Sequence, residues 1–355
     1  TGGPGTGKTT TVVNLLAALQ AVAGESPERA GRKYRIRLAA PTGKAAARLN
    51  ESIGGAVSRL PLAELPGNVD LNDIPTRVTT LHRLLGSRPD TRKFRHNRDN
   101  PLLVDILVID EASMVDVDLM ASVFDALPAN AQLILLGDKD QLASVDAGAE
   151  LGELCQRALL AHYTPETARW LAAMAEGEIP ESLVDETGQP MDQAVAMLRK
   201  SYRFREDSGI RAFAEAVNTN ALDNAMLRQI RQAEFDDVIL LNSRSKSGDT
   251  EDTLDLVCRH AITGSPEAFR NAGQGRQVNG QSLPPPVGYR HYLERLQNHG
   301  LNENSPREDW DAMAVQLLEA FSDFQVLCAL RKGPWGVEGL NDRIARQLLG
   351  EKLIP

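Results

Sequence analysis

The sequence predicts an α/β fold in which parallel strands alternate with crossover helices. One observation is a glycine-rich loop at 2–9, which is followed by an apolar, helix-like run over 10–19. Another is the alternation, across the first half of the chain, of short apolar runs with alanine-rich or amphipathic stretches. Ligands of such sheets bind at the carboxyl ends of the strands, so we expect the functional residues there.

The strand candidates of the first half are short apolar runs, each followed by polar or glycine residues: 35–40, 103–109 and 132–136. Helix candidates follow the first two of them, at 41–49 and 115–127. The polar residues that follow a strand, or in the loop an expected strand, are Lys8, Thr42, Asp110 and Asp138. We expect these four side chains to converge on one edge of one sheet.

The glycine-rich loop has the complete G-x-x-x-x-G-K-T pattern of a phosphate-binding loop. Its glycines let backbone N–H groups turn toward phosphates, Lys8 supplies a positive charge, and Thr9 supplies a hydroxyl ligand for Mg²⁺. The pattern therefore predicts ATP and Mg²⁺ as cofactors, although a chance glycine-rich turn is the alternative. The expected nucleotide-binding residues are Gly2, Gly3, Pro4, Gly5, Thr6, Gly7, Lys8, Thr9 and Thr10.

Two adjacent carboxylates, Asp110 and Glu111, follow the apolar run 103–109. At the tip of a buried strand, Asp110 can hold Mg²⁺ together with Thr9, and Glu111 can take the proton of an attacking water. An acidic helix cap is the alternative, because Asp and Glu favour helix starts. The position behind a strand, after a phosphate-binding loop, favours the hydrolytic interpretation.

The composition gives mixed indications about partners and compartment. The net charge of −9 argues mildly against nucleic acid, but the stretch 76–98 carries a net charge of +6 and would attract DNA phosphates. A solvated loop or a face for an acidic partner are the alternatives. Three widely spaced cysteines indicate a reducing compartment, and no apolar stretch approaches the roughly 20 residues that span a bilayer.

The length of 355 residues predicts two domains. We place the first at 1–155, with an insertion at about 54–99 where Pro, Gly and Asn recur. A helical connector broken by prolines follows at 156–197, and a sparser α/β region occupies 198–355. The strand candidates of that region are 238–241 and 324–330, and its helix candidates are 289–296 and 310–321.

Several further motifs occur in a fixed order: Ala40-Pro-Thr-Gly-Lys44, Thr79-Thr-Leu-His82, Leu136-Gly-Asp-Lys-Asp-Gln141 and Lys200-Ser-Tyr-Arg203-Phe. With the phosphate-binding loop and Asp110-Glu111, they resemble the motifs of superfamily 1 helicases. Ser113-Met-Val-Asp, the stretch 137–148 and the stretch 324–341 resemble more closely the RecD family, the α subunits of bacterial exodeoxyribonuclease V. The resemblance implies two RecA-like P-loop NTPase motor domains with parallel sheets, the first lacking its initial strand and the second truncated.

The resemblance also implies roles for individual residues. Lys8, Glu111, Gln141 and Arg203 would be catalytic, with Gln141 contacting both the γ-phosphate and a water, and Arg203 reaching the phosphates from the second domain. A surface ion pair is the alternative for Arg203. Residues matching the single-stranded DNA contacts of the superfamily are Pro41, Thr42, Thr80 and His82, although His82 also fits a core or capping role.

The function that the resemblance implies is an ATP-driven DNA helicase that translocates 5′ to 3′ within a RecBCD-like assembly at double-strand breaks. Its partners would be RecB-like and RecC-like subunits, a DNA single strand in the motor channel and duplex ends, with no membrane, in the bacterial cytoplasm. A stand-alone RecD-like or relaxase-type helicase, or a non-hydrolysing nucleotide-binding subunit, are the alternatives. We expect the stretch 1–355 to be inactive by itself, because no strand precedes its phosphate-binding loop to fix Gly2.

Overall fold

The computed structural model describes residues 1–29, 31–61, 65–66, 69–89, 91, 93–141, 150–175, 177–205, 207–232, 234–241, 250–275, 277–278 and 281–355. The chain divides into two compact units, Thr1–Arg203 and Phe204–Pro355. The division falls just after the sequence-based boundary at 198, and it leaves the expected connector 156–197 inside the first unit.

The first unit contains a four-stranded parallel sheet with the strand order β2-β1-β3-β4. The strands are β1 (Ile36–Ala40), β2 (Val78–Thr80), β3 (Ile106–Ile109) and β4 (Gln132–Leu135). Ile109 of β3 lies opposite Ala39 on one side and Leu135 on the other, so the strands end level with one another. The predicted α/β fold with a parallel sheet is confirmed, and all four strands present their carboxyl ends at one edge.

The α-helices among the described residues of the first unit are α1 (Lys8–Glu25), α2 (Gly43–Val57), α3 (Leu81–Leu85), α4 (Val117–Ala126), α5 (Glu150–Leu154) and α6 (Pro165–Met174). Local capping explains where several of them begin. Thr42 Oγ1 accepts a hydrogen bond from the Ala45 N–H (3.2 Å), and Asp116 Oδ1 accepts one from the Leu119 N–H (2.7 Å). Because the caps come directly after strands or turns, the helices start close to the sheet edge.

Strand β3 is buried on both faces, as expected for the centre of a parallel sheet. Ile106 and Val108 join a core cluster formed with α1 and α2, whereas Leu107 and Ile109 join a second cluster formed with α3 and α4. The alternation of side chains along the strand therefore fills two cores. This packing fixes the position of the residues that follow β3.

The expected insertion at about 54–99 is partly integrated into the sheet. Helix α2 continues to Val57, and β2 pairs in parallel with β1 before leading into α3. Val78 of β2 and both Leu81 and Leu85 of α3 are buried. A strand of three residues is too short to give a recognisable period in the sequence, which explains why it was missed.

The second unit is mainly helical in its described residues. Its helices are α7 (Gly209–Asn218), α8 (Asn224–Arg231), α9 (Thr250–Thr263), α10 (Tyr289–Gln297), α11 (Arg307–Ser322) and α12 (Val337–Gly350). A short antiparallel pair, β5 (Gln277–Val278) and β6 (Gln281–Ser282), is the sheet structure observed there. The core is a cluster of residues from α9, α10 and α12 that includes Leu254, Ile262, Leu293 and Ile344.

The strand predictions at 238–241 and 324–330 are wrong, because neither segment forms a strand in the structure. Phe324, Val326 and Cys328 pack against the helical core, whereas Leu327 is 90% exposed. The alternation of partly buried and exposed side chains at 324–328 therefore comes from an extended segment that packs on helices, and not from a paired strand. Among the described helices of the whole chain, none is both long enough and apolar enough to cross a membrane.

Candidate nucleotide site

The glycine-rich loop forms a turn that leads directly into α1. Gly5 (φ 73°) and Gly7 (φ 84°) both adopt the left-handed conformation that favours glycine. Lys8 is half-buried, and its Nζ donates to the carbonyl oxygens of Gly2 (2.6 Å) and Gly3 (3.1 Å). A Cβ atom on Gly3 or Gly7 would meet no atom within 4 Å, so this side of the loop is open. An open loop before a long helix, with a lysine inside the turn, fits the phosphates of a nucleotide.

Asp110 and Glu111 come directly after β3, and both are half-buried. The Asp110 N–H donates to the Ala39 carbonyl (3.0 Å), which ties the end of β3 to β1. Glu111 has a left-handed backbone (φ 53°, ψ 39°), and its side chain makes no capping bond to the short 3-10 turn Ala112–Met114. A left-handed glutamate costs about 1–3 kcal/mol, and strain of this kind is concentrated at functional sites. The geometry therefore argues against the acidic-cap interpretation.

Electrostatics keep these two carboxyl groups closer to their neutral form than usual. Burial raises the pKa of Asp110, opposed by a backbone hydrogen bond from Glu111 and by the charge of Lys8. Burial and then the neighbouring Asp110 charge raise the pKa of Glu111, opposed chiefly by Lys8. Two crowded, desolvated carboxylates form an environment that a bound divalent cation stabilises, which fits the Mg²⁺ expected there.

The segment after β4 brings an amide beside these carboxylates. Asp138 is buried at 9% exposure, and its backbone carbonyl accepts a hydrogen bond from the Gln141 N–H (3.2 Å). The hydroxyl of Ser113, which lies just beyond Glu111, donates to Gln141 Oε1 (3.4 Å). This contact links the Gln141 side chain to the end of β3. Ser113 is a positioning residue that sequence reasoning placed only within a family motif.

One cleft of about 890 Å³ joins these groups at the carboxyl edge of the sheet. Its polar lining comes from α1, the start of α2, the ends of β3 and β4, and the segment that follows α6. The charged and polar residues in it include Thr9, Thr42, Lys44, Arg48, Asp110, Glu111, Gln141 and Arg203. The cleft thus includes residues from five separate motifs. Of the four side chains expected to converge at this edge, Thr42 and Asp110 line the cleft, whereas Lys8 and Asp138 are not among its lining residues.

Arg203 lies at the end of the first unit, whereas the sequence-based boundary put it in the second domain. Its backbone runs beside the glycine-rich loop, because the Tyr202 N–H donates to the Gly5 carbonyl (2.8 Å). The Arg203 side chain is exposed and lines the cleft. The guanidinium is therefore held next to the loop by the chain that precedes it.

Two basic residues of the cleft, Lys44 and Arg48, were missed as site residues. Both are exposed and lie in the first two turns of α2, four residues apart and hence on one face of the helix. The signal was present in the sequence, since Lys44 ends the motif that begins at Ala40. In the helix predicted at 41–49, Arg48 lies one turn after Lys44 and therefore on the same face, so the helical period would have identified it.

The residues expected to contact single-stranded DNA occupy two adjacent strand ends. Pro41 and Thr42 follow β1, and Thr80 ends β2, which pairs with β1. Thr80 Oγ1 accepts from the Arg83 N–H (3.3 Å), so the hydroxyl oxygens of both Thr42 and Thr80 cap helices. Their hydroxyl protons remain suited to phosphate oxygens. His82 is exposed and lies edge-on to Phe94, with 5.8 Å between the ring centres.

The basic stretch 76–98 is a surface feature in its described part. The exposed basic residues are Arg77, Arg83, Arg88, Lys93, Arg95 and Arg98. Among the described residues of this set, Arg98 forms an ion pair, with Asp125 at 3.4 Å. Arg92 and the acid Asp90 lie outside the described residues, as does most of the motif 137–148 beyond Gln141.

Comparisons with known proteins agree with this geometry. A model of the AAA domain matches residues 1–147 and implies that the chain uses a nucleotide. RecBCD enzyme subunit RecD of Haemophilus influenzae is 35% identical over 354 residues, covering 100% of this chain and 49% of that protein. The ATP-dependent RecD2 DNA helicase of Deinococcus radiodurans is 42% identical over 158 residues, or 44% of this chain and 18% of that protein.

Among solved structures, a Bacteroides Pif1 helicase in complex with ADP-AlF3 and ssDNA matches 69% of this chain and 47% of that chain, at 17% identity and a TM-score of 0.32. The chain spans about half the length of the Haemophilus relative that it matches from end to end. Other proteins named RecBCD enzyme subunit RecD match it as well, including one from Mycolicibacterium smegmatis at 37% identity. Because the Haemophilus protein is 35% identical over 100% of this chain, the chain belongs to the RecD family.

Proposed function

We propose that this chain supplies the ATP-hydrolysing motor of a DNA helicase that works as a subunit of a RecBCD-type enzyme at double-strand breaks. The observation that carries the proposal is the single cleft at the carboxyl edge of the sheet. It combines Thr9 at the end of the phosphate-binding loop, two half-buried carboxylates, an amide contacted by Ser113 and an arginine. ATP hydrolysis needs each of these groups, and it needs them within one water-accessible cleft.

Each residue has a separate role in this proposal. Lys8 draws the β- and γ-phosphates of ATP into the loop, and Glu111 accepts the proton of the attacking water. Gln141 orients that water, while Arg203 stabilises charge on the phosphoryl group. Thr9 and Asp110 would hold Mg²⁺, which supplies neutralisation of phosphate charge when bound.

The DNA-binding part of the proposal rests on the neighbouring strand ends. Thr42 and Thr80 offer hydroxyl donors beside the cleft, and they suit contacts to a sugar-phosphate backbone without base preference. The exposed basic residues of the stretch 76–98 extend a positive surface from β2 and α3. Phosphate attraction of this kind is independent of sequence, as a translocating motor requires.

We further propose that 1–155 is one RecA-like motor domain, 156–197 a connector and 198–355 part of a second motor domain, with RecB-like and RecC-like partners in the bacterial cytoplasm. A stand-alone helicase is the second candidate, since the Deinococcus relative is named ATP-dependent RecD2 DNA helicase. The subunit assignment is favoured because relatives named as RecBCD subunits match the whole chain, whereas the RecD2 match covers 44% of it.

The proposal is tested by Lys8→Ala in the complete protein, with Lys33→Ala as the control. Removing the ammonium should weaken nucleotide binding by about 10- to 100-fold, the value of a charged hydrogen bond, and should abolish DNA-stimulated ATP turnover. Lys33 forms an ion pair with Asp73, near the other end of α1, so its loss should leave both properties unchanged. If Lys8→Ala bound nucleotide with wild-type affinity, the proposed role of the glycine-rich loop in phosphate binding would be wrong.

A further inference from the structure

A segment about 200 residues further along the chain forms hydrogen bonds to the first five residues of the chain, which include the start of the glycine-rich loop. We call residues 196–203 the strap. Thr1 N donates to the Ala196 carbonyl (2.6 Å), and the Leu198 N–H donates back to the Thr1 carbonyl (2.8 Å). Gly2 forms a parallel bridge with Leu198, and its N–H donates to the Gly137 carbonyl (3.1 Å). The expectation that Gly2 lacks support is therefore wrong, because the strap holds it on one side and the end of β4 on the other.

The strap continues along the loop beyond Gly2. Ser201 Oγ donates to the Pro4 carbonyl (3.1 Å), and the Tyr202 N–H donates to the Gly5 carbonyl (2.8 Å). These contacts end at Arg203, whose side chain lines the cleft. The strap therefore connects the backbone of the loop to the one arginine among the expected catalytic residues.

The glycines of the loop divide into two kinds. A Cβ on Gly5 would lie 2.2 Å from Arg203 Cβ, and a Cβ on Gly2 would lie 2.7 Å from Thr6 Oγ1 and 3.0 Å from Leu198 Cβ. By contrast, a Cβ on Gly3 or Gly7 would meet nothing within 4 Å. Gly2 and Gly5 thus admit the strap, whereas Gly3 and Gly7 leave the opposite side of the loop open.

The far side of the strap is also fixed. Arg199 Nη2 donates to the Leu159 carbonyl (2.7 Å), and the Tyr163 hydroxyl donates to the Val195 carbonyl (3.1 Å). The strap is consequently held between the loop and the segment 158–163. The loop and the segment 158–163 therefore both restrain the strap, which ends at Arg203.

We infer that the strap is a positioning element that transmits the state of the phosphate-binding loop to Arg203, an inference that rests on the proposed nucleotide site. Lys8 now donates to the Gly2 and Gly3 carbonyls, and it must release them to face a phosphate. Gly2 is the residue that the strap pairs with, so this release reaches the strap directly. A change in the loop on nucleotide binding is thereby passed along the strap to Arg203, which already lines the cleft.

Hydrogen exchange of backbone amides tests this without requiring turnover. In the complete protein, a non-hydrolysable ATP analogue with Mg²⁺ should change the exchange of the loop, 1–8, and of the strap together, most clearly at Leu198 and Tyr202. Helix α6 serves as the internal reference and should not change. A loop that responds while the strap does not would overturn the inference alone. If neither responds, the proposed nucleotide site fails, and the inference fails with it.

A mutant cycle provides a second test. Ser201→Ala removes the hydroxyl that donates to Pro4, and should lower kcat about two- to tenfold, the value of a neutral hydrogen bond, with the KM for ATP unchanged. In an Arg203→Ala background the same change should have no further effect, because its only route to catalysis is lost. Ser58→Ala, which removes a similar hydroxyl-to-carbonyl bond at the end of α2, is the control. If Ser201→Ala lowered kcat by the same factor in the wild-type and the Arg203→Ala backgrounds, the inference would be contradicted.

Discussion

The two ends of strand β3 carry carboxylates in opposite physical situations. At its beginning, Asp105 accepts hydrogen bonds from the Arg35 N–H (2.8 Å) and from Arg35 Nη2 (2.8 Å), and these lower the pKa of Asp105 to about 2. At its end, burial raises the pKa of both Asp110 and Glu111, and Glu111 has a left-handed backbone. Only the four residues of the strand separate Asp105 from Asp110.

This difference shows where the fold gains stability and where it gives stability up. Asp105 is charged, paired and hydrogen-bonded, so it favours the folded state. Asp110 and Glu111 are desolvated, and burial raises the pKa of each. The backbone hydrogen bond from Glu111 and the charge of Lys8 oppose this rise at Asp110, and Lys8 chiefly opposes it at Glu111. Carboxylates held at such a cost are those that a ligand or a reaction can use. This contrast supports the proposal that the carboxyl end of the sheet carries the chemistry, whereas Asp105 at the amino end stabilises the fold.

The largest effect should come from Arg203 at the carboxyl end. Arg203→Ala should reduce ATP turnover by about 10³- to 10⁵-fold, because a guanidinium that stabilises transferring phosphoryl charge is worth this much. The free energy of unfolding should be nearly unchanged, since the side chain is exposed. Arg169→Ala, at an exposed arginine of α6, provides the matched control for steady-state ATPase assays. Turnover within twofold of wild type would exclude the arginine from catalysis.

Glu111→Gln should have the next largest effect, a loss of turnover of about 10²- to 10⁴-fold, because the amide cannot accept the proton of the attacking water. Nucleotide affinity should remain, and thermal stability should be equal or higher, because a half-buried charge has been removed. Glu153→Gln, at an exposed glutamate of α5, is the control. A full rate in Glu111→Gln would assign the base to another group.

DNA affinity should show a smaller effect, arising from the basic stretch 76–98. Neutralising Arg92, Lys93 and Arg95 together, of which the last two are exposed in the structure, should weaken binding equally across DNA sequences. The slope of log affinity against log salt should fall by up to about one unit per lost phosphate contact. A variant that neutralises three exposed arginines elsewhere, Arg32, Arg37 and Arg169, removes the same net charge. If both triple variants weakened DNA binding equally, the effect would come from net charge and not from the position of the basic stretch.

The smallest effect should arise at the amino end, from Asp105→Asn. Losing the charge-assisted bonds to Arg35 should lower the free energy of unfolding at pH 7 by about 1–2 kcal/mol. The folded pKa of about 2 lies below the ordinary value of 3.8, so this contribution is present above pH 4 and is lost as the pH falls toward 2. Urea unfolding at pH 7 and pH 3 should therefore show a smaller difference from wild type at pH 3. Asp99→Asn, at an exposed turn, is the reference.

Sequence reasoning succeeded for the first unit because its signals are local. A buried parallel strand such as β3 is a continuous apolar run, and the glycine-rich loop identifies the helix that follows it. The expected residues at the strand ends then follow from topology. Lys44 and Arg48 line the cleft but were not predicted, because the motif was considered without the helical spacing that puts both residues on one face of α2.

The remainder required the structure. The run 324–330 alternates like a strand, yet Phe324 and Val326 lie on a helical core. The strap pairs Leu198 with Gly2 across almost the whole first unit, and no local pattern records such a partner. The left-handed backbone of Glu111 is likewise a product of its surroundings and not of residue type, because glutamate does not favour it.

The central claim is that the carboxyl end of the sheet hydrolyses ATP while the amino end only stabilises the fold. Its most direct test compares Glu111→Gln with Asp105→Asn in the complete protein, measuring DNA-stimulated ATP turnover and thermal unfolding on the same samples. We predict that Glu111→Gln loses turnover and keeps its melting temperature, whereas Asp105→Asn keeps turnover and melts at a lower temperature. Wild-type turnover in Glu111→Gln, or lost turnover with unchanged stability in Asp105→Asn, would contradict the account.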